Sequence, residues 1–362
     1  MDTLAQKTVV NEVKPPVTTV GMIGWLRANL FSGPFNSFLT LVFLFCFLKI
    51  TPALFKWAFV DSLWDSSGEQ CKVAAGACWS VVTKNLRFIL FGFYPYDQQW
   101  RPVLCLTVFI GLFLYSRDRR RWSGRLLYAL GTGLLLMGVL MPGGIFGLSY
   151  VEPGKWSGIC LTLLLSLFGL TAAYPLGVIL ALGRRSKLPI IKSLSVVYIE
   201  LIRGVPLISL LFMASVMFPL FLPEGITVDK ILRAQVAIIL FTAAYIAEVV
   251  RGGLQAMPRG QYEAADSLGL NYFLKMRLII LPQALKIVIP PTVSILISAF
   301  KDTSLVIIIG LFDLLKTTQV TLANPEWMGF STEAFTFIAI LYFLGCFSMS
   351  DLSRRLEKEL SR

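Results

Sequence analysis

Charged residues inside apolar runs are the first candidates for chemistry, because an ionised side chain in a low-dielectric medium is costly unless paired or hydrated. Glu200 and Arg203 lie three apart on one face of a helix, where they can pair. Lys301-Asp302-Thr303-Ser304, in a later apolar run, adds two opposite charges and two hydroxyls. Together these clusters offer donors for a carboxylate and an acceptor for an ammonium, which suits a small zwitterionic solute held near the middle of a membrane. A second reading stays open: Glu200–Arg203 as a salt bridge between helices, and Lys301 and Asp302 neutralising each other. Glu248 and Arg251, again three apart, stand near the end of their run and read as a gating or structural pair.

Other chemistry is missing. The chain has no histidine, which removes Ser-His-Asp and Cys-His catalysis, histidine-ligated metals and the usual proton shuttle. No catalytic residue and no metal site is therefore expected. Gly154-Lys155-Trp156 is a superficial phosphate-loop fragment without the required glycine spacing or the hydroxyl residue after lysine, so nucleotide is not expected to bind this chain. The net charge of +12 is explained by basic residues that membrane topology places in loops, not by nucleic acid.

The elements that must position these residues are membrane helices. Charged residues make up 15% of the chain against 56% hydrophobic, too apolar for one soluble core, and 158–182 carries no charge. The expectation is an all-α integral membrane protein of about eight transmembrane helices, each needing about 20 apolar residues, at 37–59, 102–116, 126–146, 158–182, 190–221, 233–250, 285–309 and 334–350. Basic residues then fall together: Arg117, Arg119, Arg120, Arg121 and Arg125; Arg184, Arg185, Lys187 and Lys192; Arg251, Arg259, Lys275, Arg277 and Lys286; and Arg354, Arg355, Lys358 and Arg362. These four groups share one side when the number of spans is even, which puts both termini in the cytoplasm. Residues 1–36, with Pro15-Pro16, are a polar cytoplasmic lead without the features of a cleavable signal; 37–157 hold three spans and an outside segment at 60–101; 158–352 hold five spans; 353–362 are a cytoplasmic tail. Trp57, Trp64, Trp79, Trp100, Trp122 and Trp156 lie near span ends or in loops, as interfacial anchors. Cys46, Cys105, Cys160 and Cys346 lie in apolar runs. Cys71 and Cys78 fall in the outside segment, an oxidising compartment, with Gly76 between them to let the chain turn; a bridge there would contribute about 2–3 kcal/mol, and two free thiols are the alternative.

The loop 251–284 is the most informative stretch. Pro258 can open a short helix over 260–268, Gly269 can stop it in the left-handed region, Asn271 can cap a second helix, and Pro282 is expected to end that helix before the next span. Paired alanines give the first helix a small face that another protein could approach closely. The pattern Glu263-Ala264-Ala265, Gly269, then Ile279, Leu281 and Pro282 resembles the coupling motif of ABC importer permeases at every position. Ala244-Tyr245-Ile246-Ala247-Glu248-Val249-Val250-Arg251-Gly252-Gly253 and Glu200-Leu201-Ile202-Arg203-Gly204-Val205-Pro206-Leu207 look like the polar amino-acid branch of that family. The resemblance covers about 157–352, and the three leading spans make the chain similar to the general L-amino-acid permeases of Gram-negative bacteria.

The resemblance implies a C-terminal five-helix type I permease core in the bacterial inner membrane. It implies an ABC ATPase dimer that carries the ATP and Mg and seats Glu263, Ala264, Ala265 and Gly269 in a groove. It also implies a second permease subunit, as a different chain, and a periplasmic binding protein that delivers an amino acid. The competing reading is an ion-coupled secondary transporter of small polar solutes, which would have no use for the coupling loop.

Overall fold

The computed structural model describes residues 21–360 apart from 119, 120 and 123. The Pro15-Pro16 lead, Arg119, Arg120 and Arg362 lie outside the described residues. The chain divides into two compact units, Met1–Cys78 and Trp79–Arg362.

In the first unit, α1 (Gly21–Asn29) precedes α2 (Pro34–Phe55). Pro34 occupies the first turn, where an N–H would have no partner in any case. The helix runs on through a π-turn at Lys56–Val60, giving an apolar stretch of 27 residues. None of the α2 residues is buried. The short helix α3 (Gly68–Val73) begins in a capping box, in which Ser67 and Gln70 each accept the other's backbone N–H. Cys71 and Cys78 are joined in a disulfide with Cα atoms 5.6 Å apart. Gly76 does not turn the chain through a positive φ; a Cβ there would strike the Asp61 backbone, so glycine is required by close approach.

The second unit is nearly all helical. The helix α4 (Ser80–Phe91) is too short to span and buries Val81 and Ile89 against the rest of the unit. It is followed by α5 (Trp100–Ser116), α6 (Gly124–Leu140) and α7 (Gly158–Arg184). Then come α8 (Pro189–Gly204), α9 (Leu207–Phe212, continued as tighter and looser turns to Phe221) and α10 (Lys230–Ala256). The remainder is α11 (Arg259–Ser267), α12 (Tyr272–Lys275), α13 (Leu281–Asp302), α14 (Leu314–Leu322) and α15 (Ser331–Leu360). Among the described residues six helical stretches are long and apolar enough to cross a membrane, with one bent pair and the shorter α6 besides.

Two expectations need correction. The span at 190–221 is broken, α8 and the α9 segment meeting at 102°. Pro206 caps α9, and Val205 before it is extended, as a residue preceding proline prefers. Pro282 does not end a helix. It lies in the first turn of α13, behind a π-turn at Met276–Ile280, so α12, the π-turn and α13 form one continuous stretch. Between the last two spans α14 packs on α4: Thr317 Oγ1 donates to the Ile89 carbonyl at 2.7 Å.

The central pair is α7 against α10, and small residues let their backbones approach. Ala173, Ala181, Ala243 and Ala247 are fully buried. A Cβ on Gly177 would meet Ile246 Cγ2 at 2.6 Å and the Ala243 carbonyl at 2.9 Å. On the other side of α10, Gly253 meets α13 in the same way, against Val288 and the Ala284 carbonyl.

Candidate functional site: a cavity, a charge cluster and an exposed helix

A cavity of about 310 Å³ lies between α10, α13 and the start of α9. One face of α10 lines it through Ile238, Phe241, Thr242 and Tyr245, and one face of α13 through Ser294, Ile295, Ser298 and Asp302. These spacings of three and four follow from the helical period. Leu207 reaches the cavity because the chain breaks at Pro206. Thr242 stands at the middle of the 27-residue α10, so the cavity lies at mid-depth. Its size is at the small end of the range for small-molecule sites, and Asp302 is its single charged lining residue. That carboxylate can accept from an ammonium. The hydroxyls of Thr242, Ser294, Ser298 and Tyr245 supply donors, and the apolar residues leave room for an uncharged side chain.

Of the four consecutive candidates, only Asp302 lines the cavity. Lys301 is exposed on another face. Thr303 is fully buried with its Oγ1 donating to the Phe300 carbonyl at 2.7 Å, and Ser304 Oγ donates to the Lys301 carbonyl at 2.8 Å. Sequence reasoning missed Thr242, Tyr245, Ser294 and Ser298.

Glu200 and Arg203 do not pair with each other. Glu200 Oε1 accepts from Arg184 at 2.8 Å, and Arg203 lies 3.5 Å from Glu248 Oε2. Glu248 is the hub: Arg184 Nη1 reaches Oε1 at 2.6 Å and Arg251 Nη2 reaches Oε2 at 2.9 Å. The cluster sums to +1, three arginines less two glutamates, and ties the ends of α7 and α8 to α10. Arg203 also lies over the Tyr245 ring, 5.5 Å from its centroid, so the cluster touches the cavity wall. Sequence reasoning placed Glu248 and Arg251 together; Arg184, from another helix, was not foreseen.

Beyond the cluster, α11 ends in a Schellman motif. Leu270 N–H donates to the Ala265 carbonyl at 3.2 Å and Gly269 N–H to the Asp266 carbonyl at 2.9 Å, with Gly269 at φ +69°. Asn271 Oδ1 then caps α12 by accepting from Leu274 N–H at 2.9 Å. Lys275 pairs with Asp266 across the two helices. Ala265 faces inward and is fully buried, whereas Glu263, Ala264 and Gly269 are exposed beside Leu268 and Phe273, which are 74% and 65% exposed. An apolar rim around an exposed acidic and small-residue face is the make-up of a docking surface. Tyr262 holds the helix down: its hydroxyl donates to the Leu254 carbonyl at 3.3 Å, and Arg185 lies over its ring.

Residues 173–362 match the family described as binding-protein-dependent transport system inner membrane components. The inner membrane amino-acid ABC transporter permease protein YhdY of Escherichia coli K12 is 47% identical over 93% of this chain and 92% of its own length. The glutamate/glutamine/aspartate/asparagine transport system permease protein BztC of Rhodobacter capsulatus is 40% identical over 100% of this chain and 99% of its own. A crystal structure of an amino acid ABC transporter with histidines superposes on 56% of this chain and 92% of its own with a TM-score of 0.50 and 30% identity.

Proposed function

This chain belongs to the binding-protein-dependent transport system inner membrane components, and from that premise we propose that it is the permease subunit through which an ATP-driven importer moves L-amino acids into the cytoplasm. The observation that carries the reading is the placement of three features along α10: the cavity at mid-depth with Asp302 on its wall, the Glu248 cluster beyond it, and the exposed α11 at its end. From Thr242 to Ala256 is fourteen residues, or about 21 Å of helix. A push on α11 therefore reaches the cavity through one packed helix.

In this reading α11 seats on an ABC ATPase dimer, which binds the ATP and Mg. ATP-driven movement of that dimer shifts α11 and α10, and the cluster carries α7 and α8 along. The substrate ammonium is received by Asp302 and its carboxylate by the hydroxyls and by donors from the second permease subunit, a different chain. A periplasmic binding protein delivers the solute, and both termini lie in the cytoplasm, following the basic loops. Five spans from α7 to α15 form the type I core. An exposed coupling helix distinguishes this from an ion-coupled carrier, which has no ATPase to engage.

The test is reconstitution of the complete complex in proteoliposomes with the binding protein and a panel of radiolabelled amino acids. Uptake is expected only with ATP on the ATPase side. Uptake driven by an ion gradient without ATP would sink the reading.

A further inference from the structure

Lys49 lies in the apolar helix Pro34–Val60 and is exposed. It stands fifteen residues after Pro34 and eleven before Val60, roughly 22 Å and 16 Å from the two ends. A hydrocarbon core of about 30 Å centred on this helix puts Lys49 close to the midplane. Snorkelling serves lysines near a span's end, and here the nearer end is about three turns away. The other lysine of the stretch, Lys56, lies near the end and has Asp61 at 3.8 Å. Lys49 has no ion pair or hydrogen bond among the described residues. Pro52, at i+3, offers no N–H to the Leu48 carbonyl, which leaves a second polar group at the same depth.

Lipid tails hold no acceptor for an ammonium. Away from the outermost turns, the acids of this chain's own spans are engaged elsewhere: Glu200 and Glu248 with arginines, Asp351 with Arg117 and Arg355, Asp302 on the cavity wall, and Glu333 buried within its own surroundings. The residues sharing the Lys49 face are Cys46 and Pro52 at i±3 and Phe45 and Ala53 at i±4. Three of these four are small, so another helix can come close. The ATPase and the binding protein lie outside the membrane. We propose that Lys49 pairs at mid-membrane with an aspartate or glutamate on a transmembrane helix of the second permease subunit, making α2 a clamp between the two permease chains. This rests on the reading of the chain as one of two different permeases in an importer.

The experiment uses the whole complex in native membranes. Phe45, on the Lys49 face, is replaced by p-benzoylphenylalanine and irradiated, and adducts are identified by mass spectrometry. The expected adduct is with the second permease, on a helix with an acid within a turn of the crosslinked site. Adducts confined to lipid, to a second copy of this chain or to this chain's own core would each overturn the proposal. In parallel, Lys49→Met is expected to lower the second permease recovered after a detergent wash about tenfold, while Lys49→Arg retains it. Equal recovery with Lys49→Met overturns the proposal even where the protein is fully stable. A purified complex that contains this chain as its sole permease would overturn the two-chain reading itself; a two-chain complex with no Phe45 adduct to the partner overturns only the clamp.

Discussion

At the scale of single residues, the cavity rests on one carboxylate. Asp302→Asn keeps the shape and removes the charge, so amino-acid uptake should fall at least about tenfold, the worth of one lost ion pair in a dry site, while the complex purifies intact. Assembly failure instead of transport failure would make Asp302 structural. Asp313 gives a second prediction, outside the spans. It caps α14 by accepting from Lys316 N–H at 2.9 Å and is fully buried. Burial pushes its carboxyl up to about 6, against the hydrogen bonds it accepts and nearby Lys316. A carboxyl raised in the folded state favours folding below its unfolded value near 3.8 and loses that contribution as pH rises through about 6. Asp313→Asn keeps a capping oxygen and should raise the unfolding temperature at pH 7.5 by the equivalent of about 3 kcal/mol at most, with a smaller gain at pH 4. An equal gain at both values would rule out titration as the cause. The sequence pointed to Asp302 because a charge in an apolar run stands out. Ser298 and Ser294, four and eight residues before it, were legible as a polar ladder on one face of α13, but hydroxyls in membrane helices commonly bond their own backbone, as Thr292 does to the Val288 carbonyl. Nothing local marks Asp313, whose burial is created by the packing around it.

At the scale of elements, turn chemistry was readable and helix breaks were not. Gly269 and Asn271 announce themselves by type, and each does what its side chain, or lack of one, dictates. The consequence of Pro206 depends on what the freed backbone packs against; the same residue type leaves α7 continuous at Pro175 and turns the chain by 102° at the α8–α9 junction. Likewise Glu200 and Arg203 satisfy the spacing for a local pair, yet partners from α7 and α10 outcompete each other's reach. The proposed coupling role of α11 yields a graded prediction. A Cβ at Gly269 would meet nothing within 4 Å, so a substitution acts through the positive φ alone. Asparagine tolerates that region and valine resists it. Gly269→Val should therefore weaken ATPase retention and ATP-driven uptake strongly, and Gly269→Asn only mildly. Identical losses in the two variants would assign the effect to surface contact rather than to the bend.

At the scale of the whole permease unit, the proposed function makes the Glu248 cluster the link through which the cavity and α11 move together. Glu248 is the most enclosed member, its side chain 16% exposed against 23–35% for the three arginines. Removing its charge leaves Arg184, Arg203 and Arg251 against Glu200 alone, taking the cluster from +1 to +2. Because these side chains keep some solvent, the loss in stability should be moderate, about 1–3 kcal/mol. The loss in coupling should be larger, since α7, α8 and α10 are no longer held by one acceptor at the point between α11 and Asp302. Glu248→Gln is therefore expected to leave ATP hydrolysis responsive to the loaded binding protein while uptake falls. Adding Arg203→Gln restores the +1 total but also removes the stacking on Tyr245, so it should recover stability without recovering transport. Adding Arg251→Gln restores the same total and leaves Tyr245 stacked, so it should recover part of both. Uptake per ATP hydrolysed, measured beside unfolding temperature for the single and the two double variants, separates these outcomes: transport that simply tracks stability across all three would reduce the cluster to a structural tie.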